Sequence, residues 1–200
     1  KQDSTMAAKY YRMAADAGDP NSHFLLADVY YSGNGLPKDL TEAAKWYLKA
    51  AEMGVANSQI AIANCYFSGW GVPLNHYEAA KWFLTAANQG NIDGQKSIGI
   101  AYISGDGVPL NYTEGVKWLE KAANAGDADS QAILGKFYLE VMGGQIDYAK
   151  AVKWLQLAAN QNEEHALNML GYCYYHGCGV PKDKKKAKSL GYTEKNIFGF

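Results

Sequence analysis

The chain has 200 residues, 48% of them apolar, and carries 19 lysines and arginines against 20 aspartates and glutamates. That composition supports a core, while a net charge near −1 gives no global attraction to nucleic acid or anionic lipid. The longest apolar runs, such as the one between Ser97 and Ser104, are far too short to span a bilayer, and the first residues show no secretory signal pattern.

Residues 1–18 read as half of a two-helix unit, with Thr5–Gly18 as a lone second helix. Beyond Gly18 the chain repeats. KWYLKAAEMG begins at Lys45, KWFLTAANQG at Lys81, KWLEKAANAG at Lys117 and KWLQLAANQN at Lys153, so Trp46, Trp82, Trp118 and Trp154 stand 36 residues apart. Tyr10 takes the same register in the half unit. Steps of 36 also carry Gly18 to Gly54, Gly90, Gly126 and then Asn162, and Tyr30 to Tyr66, Tyr102, Tyr138 and Tyr174. Self-similarity at such a period marks a repeat array. Four complete units fall at 19–54, 55–90, 91–126 and 127–162, with an incomplete one at 163–200, so 1–200 reads as one array. The expected fold is all-α, about eleven helices in antiparallel pairs with no sheet.

Within a unit, the first helix spans about Asn57–Phe67, with Ser58, Ile62, Ala63 and Tyr66 on one face. Gly69, Gly71 and Pro73 break it. The second helix opens at Asn75, an N-cap with Glu78 at the third position, as do Asp39 with Glu42 and Asn111 with Glu114. Gly90 permits a left-handed closing residue, and Asn162 is the next-best residue for that conformation. Trp82 is expected to face inward, while Ala86 and Ala87, with Ala63, Gly99, Gly135 and Gly171, allow close helix approach. One pair cannot cover its own apolar face, so stacking buries a continuous core. The half unit then leaves an apolar N-terminal edge, expected to meet a further repeat or another molecule, including a second copy. In the fourth unit Val141-Met142-Gly143-Gly144-Gln145 replaces the Gly-x-Gly-x-Pro turn.

The recurring run from Ser58 to Tyr66, then Gly69–Pro73, Asn75, Ala79, Trp82, Ala86, Ala87 and Gly90, resembles the SEL-one-like repeat family, 36-residue relatives of the tetratricopeptide repeat. The resemblance implies an α/α superhelix, a right-handed solenoid of helix-turn-helix repeats, with its concave wall lined by the first helices. It implies an adaptor that brings proteins together; many family members are bacterial, some exported to meet a host cell, so an exported or periplasmic setting is favoured and a cytoplasmic one stays open. With no catalytic constellation in the sequence, an enzyme is not expected. A cysteine-rich branch is linked to β-lactam binding through a regular cysteine pair in each repeat. The alternative reading is therefore a β-lactam or peptidoglycan-related small-molecule binder or weak hydrolase, but this chain lacks those pairs.

The chemical candidates are sparse. Cys65 and Cys173 share one register three units apart, too far for a disulfide, and Cys173 with Cys178 would strain a helix and its turn. Free thiols are expected. His176 lies near Cys173 and Cys178, but zinc needs a fourth ligand. His23, His76 and His165 are scattered. Gly69-Trp70-Gly71 is a helix-breaking turn and not a phosphate loop, because no Lys-Ser/Thr follows. No nucleophile motif is present, and no cofactor or metal is expected. The basic run Lys182-Asp183-Lys184-Lys185-Lys186-Ala187-Lys188 reads as a solvated end or a docking patch for an acidic partner.

Binding is expected on the first helices, opposite their stacking face. One row there reads Phe24, Ile60, Lys96, Ala132, Asn168; the next reads Asp28, Asn64, Ile100, Lys136, Tyr172. These rows vary where scaffold rows do not. A third, Tyr31, Phe67, Ile103, Leu139, Tyr175, is apolar throughout, and serves either inter-repeat packing or an exposed partner stripe. The partner-binding candidates are Phe24, Asp28, Tyr31, Ile60, Asn64, Phe67, Lys96, Ile100, Lys136, Tyr172 and Tyr175, facing a protein or peptide ligand.

Overall fold

A computed structural model describes residues 2–140 and 146–193, and every regular element among them is an α-helix. The chain divides into two compact units. Unit 1, Lys1–Leu110, holds α1 (Gln2–Asp16), α2 (Pro20–Ser32), α3 (Leu40–Glu52), α4 (Ala56–Ser68), α5 (His76–Asn88) and α6 (Ile92–Ser104). Unit 2, Asn111–Phe200, holds α7 (Tyr112–Asn124), α8 (Ala128–Leu139), α9 (Tyr148–Ala159), α10 (Glu164–His176) and the short α11 (Lys184–Ser189). Within each unit every helix packs on the next in the chain. The altered turn at 141–145 lies outside the described residues.

Helix starts match the sequence pattern with one change. Asn75 Oδ1 accepts from Glu78 N at 3.1 Å, and Asp39, Asn111, Asp147 and Asp183 cap their helices in the same way. The return half of a capping box does not form. The cap's own N–H is already used: Asn75 N donates to Tyr66 O at 2.8 Å and Asp39 N to Tyr30 O at 2.9 Å. Glu78 turns outward to Lys81 instead, at 3.0 Å, as Glu42 does to Lys45 at 2.7 Å. At the far end Asn162 has φ +62, the left-handed conformation that glycines hold in the other units.

The core seam comes from rows in strict register. Leu26, Ile62 and Ile98 in unit 1, and Leu134 and Leu170 in unit 2, have no solvent exposure. The second helices add Tyr47 and Phe83 in unit 1 and Leu119 and Leu155 in unit 2, all buried. These residues each come one position after the tryptophan. Trp82, expected to face inward, does not reach the centre of the seam. Trp82 and Trp118 are half-buried, while Trp46 and Trp154 are buried, Trp46 within the unit 1 core cluster. Lysines lie on the tryptophan faces, Lys49 at 4.2 Å from the Trp46 ring and Lys121 at 3.6 Å from Trp118. One helical position is a rotation of 100°, so the neighbour and not the indole points along the stacking direction. Tyr10, at the same register in α1, is 59% exposed. Trp46 is shielded by Arg12 at 4.9 Å and His23 at 5.3 Å, which precede it by 34 and 23 residues. Tyr10 stays open to solvent. With Met6 and Met13 it makes the expected apolar edge, an exposed stripe along α1.

Successive repeats are also joined by polar contacts. Buried Gln59 donates to Ala51 O at 3.3 Å and accepts from Gln89 at 3.2 Å; in unit 2 Gln131 donates to Ala123 O at 2.9 Å and accepts from Gln161 at 2.9 Å. The closest approach is made by the second glycine of each described turn. A Cβ on Gly71 would overlap the carbonyl oxygen of Leu40, the first residue of α3, and one on Gly107 that of His76, the first residue of α5.

Candidate functional site

The first-helix rows divide by exposure. Phe24, Ile60, Lys96 and Asn168 are half-buried and Ala132 is buried, so the first row serves packing as much as display. Phe24 meets the Tyr47 ring at 5.8 Å, and Lys96 lies 3.8 Å from Asp93. In the second row Asn64 and Ile100 are exposed, while Asp28, Lys136 and Tyr172 are half-buried. Asp28 accepts a hydrogen bond from the Tyr47 hydroxyl, and Lys136 sits 4.0 Å from Glu140. The third row is exposed at Tyr31 and Phe67 and half-buried at Ile103, Leu139 and Tyr175.

In unit 1 these rows meet at a groove of about 190 Å³ between α4, α5 and α6. Asn64 and Phe67 form one wall, Ser97, Ile100 and Ala101 the other, and Ala79, Ala80 and Phe83 the floor. His76 and Asp106 complete the rim. Three predicted candidates, Asn64, Phe67 and Ile100, are thus brought together. The His76 ring stacks on Phe67 with centroids 4.7 Å apart and planes 15° from parallel. Its Nδ1 lies 3.8 Å from Asp106 Oδ1, and Ser104 Oγ donates to Asp106 Oδ2 at 2.7 Å. At the preceding repeat junction Tyr31 meets Trp70 at 5.9 Å.

The groove opens here for a sequence reason. Ser97 stands in a register that reads Leu25, Ala61, Ser97, Ile133, Met169, so it is shorter than its counterparts in unit 2. Phe83 stands in the register of Tyr47, whose hydroxyl reaches across to Asp28. His76, Asp106, Trp70, Phe83 and Ser97 were not among the sequence candidates. The signal was available: the register of His76 reads Leu40, His76, Tyr112, Tyr148, Lys184, as variable as the chosen rows.

In unit 2 Tyr172, Tyr175, His176 and Tyr192 form a ring cluster, with Tyr172 to His176 at 4.4 Å and Tyr175 to Tyr192 at 5.4 Å. Buried Tyr192 packs on Gly171, where a Cβ would crowd it. The basic run is exposed, with Lys184 4.7 Å from the Tyr175 ring and Lys186 5.5 Å from Tyr174. His176 is surrounded by rings; among the described residues no group of three His, Cys, Asp or Glu is placed to hold a metal.

Cys65, Cys173 and Cys178 are free thiols. Burial pushes the Cys65 thiol up to about 11, and burial with neighbouring Cys178 pushes Cys173 up to about 12. Burial also raises the Tyr47 hydroxyl, assisted by its bond to Asp28. Thiols held protonated are poor nucleophiles at neutral pH. The folded state retains these protons where the unfolded chain releases them. Their contribution to stability is therefore whole below the ordinary thiol value of 9.0 and is lost as pH rises through about 11 to 12. The expected result is a melting temperature that falls steadily above about pH 9. Replacing Cys65 and Cys173 by alanine flattens that fall; an unchanged slope in the double variant refutes the assignment.

The Sel1 repeat profile matches residues 1–19, 20–55, 56–91, 93–127, 128–163 and 164–190. The chain belongs to the Sel1 repeat family. Sel1 repeat proteins are in general protein-interaction scaffolds, typically without catalysis. Two solved structures are similar at useful identity. One is a protective antigen present in uropathogenic Escherichia coli strains and displaying an SLR fold: 35% identity, TM-score 0.88, over 91% of this chain. This chain spans 39% of that antigen's length. The other is a Sel1 repeat protein from Oxalobacter formigenes, at 32% identity and TM-score 0.81, over 86% of this chain and 68% of that one. Helicobacter pylori cysteine rich protein B, at 24% identity and TM-score 0.54 over 66% of this chain and 95% of its own, shares the fold. Comparison with curated proteins gives no match. No helix among the described residues is long and apolar enough to cross a membrane.

Proposed function

We propose that this Sel1 repeat chain is a scaffold that holds a peptide segment of a protein partner on the first-helix face of unit 1. The observation that carries the reading is the exposed pair Phe67 and Ile100, 43% and 41% accessible, which line the groove at α4–α6, with exposed Tyr31 and Trp70 in contact at the preceding repeat junction. Exposed apolar side chains gathered beside a concave slot are the usual anatomy of a peptide site. The likeness to a protective antigen of uropathogenic Escherichia coli supports a bacterial, exported or host-facing setting for the partner. Self-association through the Met6, Tyr10 and Met13 stripe belongs to the same scaffold reading.

The test is paired capture and melting. Wild-type protein and a Phe67→Ser, Ile100→Ser double variant are used to capture partners from the native cell, and both are melted. The variant is expected to stay within about 1 kcal/mol in stability, as accessible sites tolerate change, and to lose at least about tenfold in capture, as expected for anchor positions. Undiminished capture by the variant refutes the placement on this face.

A further inference from the structure

We infer that the α4–α6 groove is an anchor pocket for one apolar side chain followed directly in the partner by lysine or arginine. The inference rests on the scaffold reading and names the chemistry of the segment it takes. The interior is apolar, with Phe83 beneath and Phe67 and Ile100 at the sides, and about 190 Å³ suits a single large side chain. The near-parallel Phe67–His76 stack gives one flat wall against which that side chain lies.

The charge at the mouth selects the next residue. Asp106 holds its carboxylate at the rim with the side chain 47% accessible, oriented by Ser104 Oγ at 2.7 Å and His76 Nδ1 at 3.8 Å. Lys96 is drawn toward Asp93 at 3.8 Å. A carboxylate complements a cation, whereas a glutamate at that place would face Asp106. In unit 2 the register of Phe67, His76 and Asp106 holds Leu139, Tyr148 and Cys178. The same slot of the repeat thus carries an acid at its rim in one unit and a thiol in the other. The residue at that register sets the charge of the mouth on a constant scaffold.

Fluorescein-labelled capped hexapeptides test this, with leucine or phenylalanine followed by arginine, serine or glutamate, titrated into the intact chain by anisotropy. The arginine peptides are expected to bind about threefold tighter than the serine ones at low salt, with glutamate weakest and the spread closing at high salt. Asp106→Asn removes the arginine advantage and keeps the leucine contribution. Ser97→Met fills the groove with the long side chain that Met169 carries in the same register, and lowers every affinity by at least about tenfold with the fold unchanged. Ile100→Ser serves as a second groove variant should Ser97→Met melt early. The inference is overturned if no peptide of the set binds, if glutamate equals or exceeds arginine, or if both groove variants bind as wild type does. It is overturned too if the chain dimerises through the groove, so that Ser97→Met alone yields monomer. Partner capture is read separately. A lost arginine preference with capture intact removes the pocket chemistry and leaves the scaffold reading standing; the converse does the reverse.

Discussion

Gly71→Ala lowers the melting temperature by about 10 °C, against about 3 °C for Gly90→Ala. Both glycines hold positive φ, +72 and +85, so both variants incur the left-handed strain of about 1 kcal/mol. Only Gly71 has something in the way. Its Cβ would overlap the backbone oxygen and carbon of Leu40, while nothing lies within 4 Å of a Cβ at Gly90. Backbone cannot rotate aside as a side chain does, so the α4–α5 turn must lift from α3. Forced separation of packed elements costs about 1–3 kcal/mol or more beyond the strain. Each repeat contacts its neighbours alone, so loss at one junction weakens cooperation along the stack. Thermal unfolding monitored by circular dichroism decides the matter: equal shifts for the two variants would show that conformation, not spacing, fixes the glycine.

Phe83→Ala is expected to cost about 3–5 kcal/mol and Trp82→Ala about 1–2 kcal/mol. The order reverses what residue size suggests. Phe83 is 6% exposed at the seam between α4, α5 and α6, and its loss opens a cavity under the groove. Trp82 is half-buried and packs against the core from its margin, so its loss opens a site that solvent already reaches in part. Urea unfolding with unchanged m-values gives the comparison directly. A larger loss for Trp82 would return the indole to the centre of the core.

The 36-residue register was legible without coordinates because it rests on covalent spacing and local chemistry. N-caps at Asp39, Asn75 and Asn111 accept from the backbone within three residues, and Asn162 takes positive φ by its own conformational tolerance. Such features need no knowledge of a neighbour. The first-helix rows were drawn from helical spacing, two of them variable and the third, which holds Phe67, apolar throughout. Of those rows, Asn64, Phe67 and Ile100 do share one groove.

What a single sequence determined was therefore the period, the helix ends and the all-α class, each set within a few residues along the chain. Which side of the second helix meets the core was decided only in the folded units. Trp82 and Phe83 are 100° apart on the helix, and only packing against α4 and α6 says which points inward. The same holds for the groove. His76 comes from the start of α5, Asp106 from the turn after α6, and Ser97 makes room by being small where Ile133 and Met169 are large. Those residues lie 9 to 30 apart in the chain. Their juxtaposition is a property of three helices stacked on one another, and no local pattern of residues contains it.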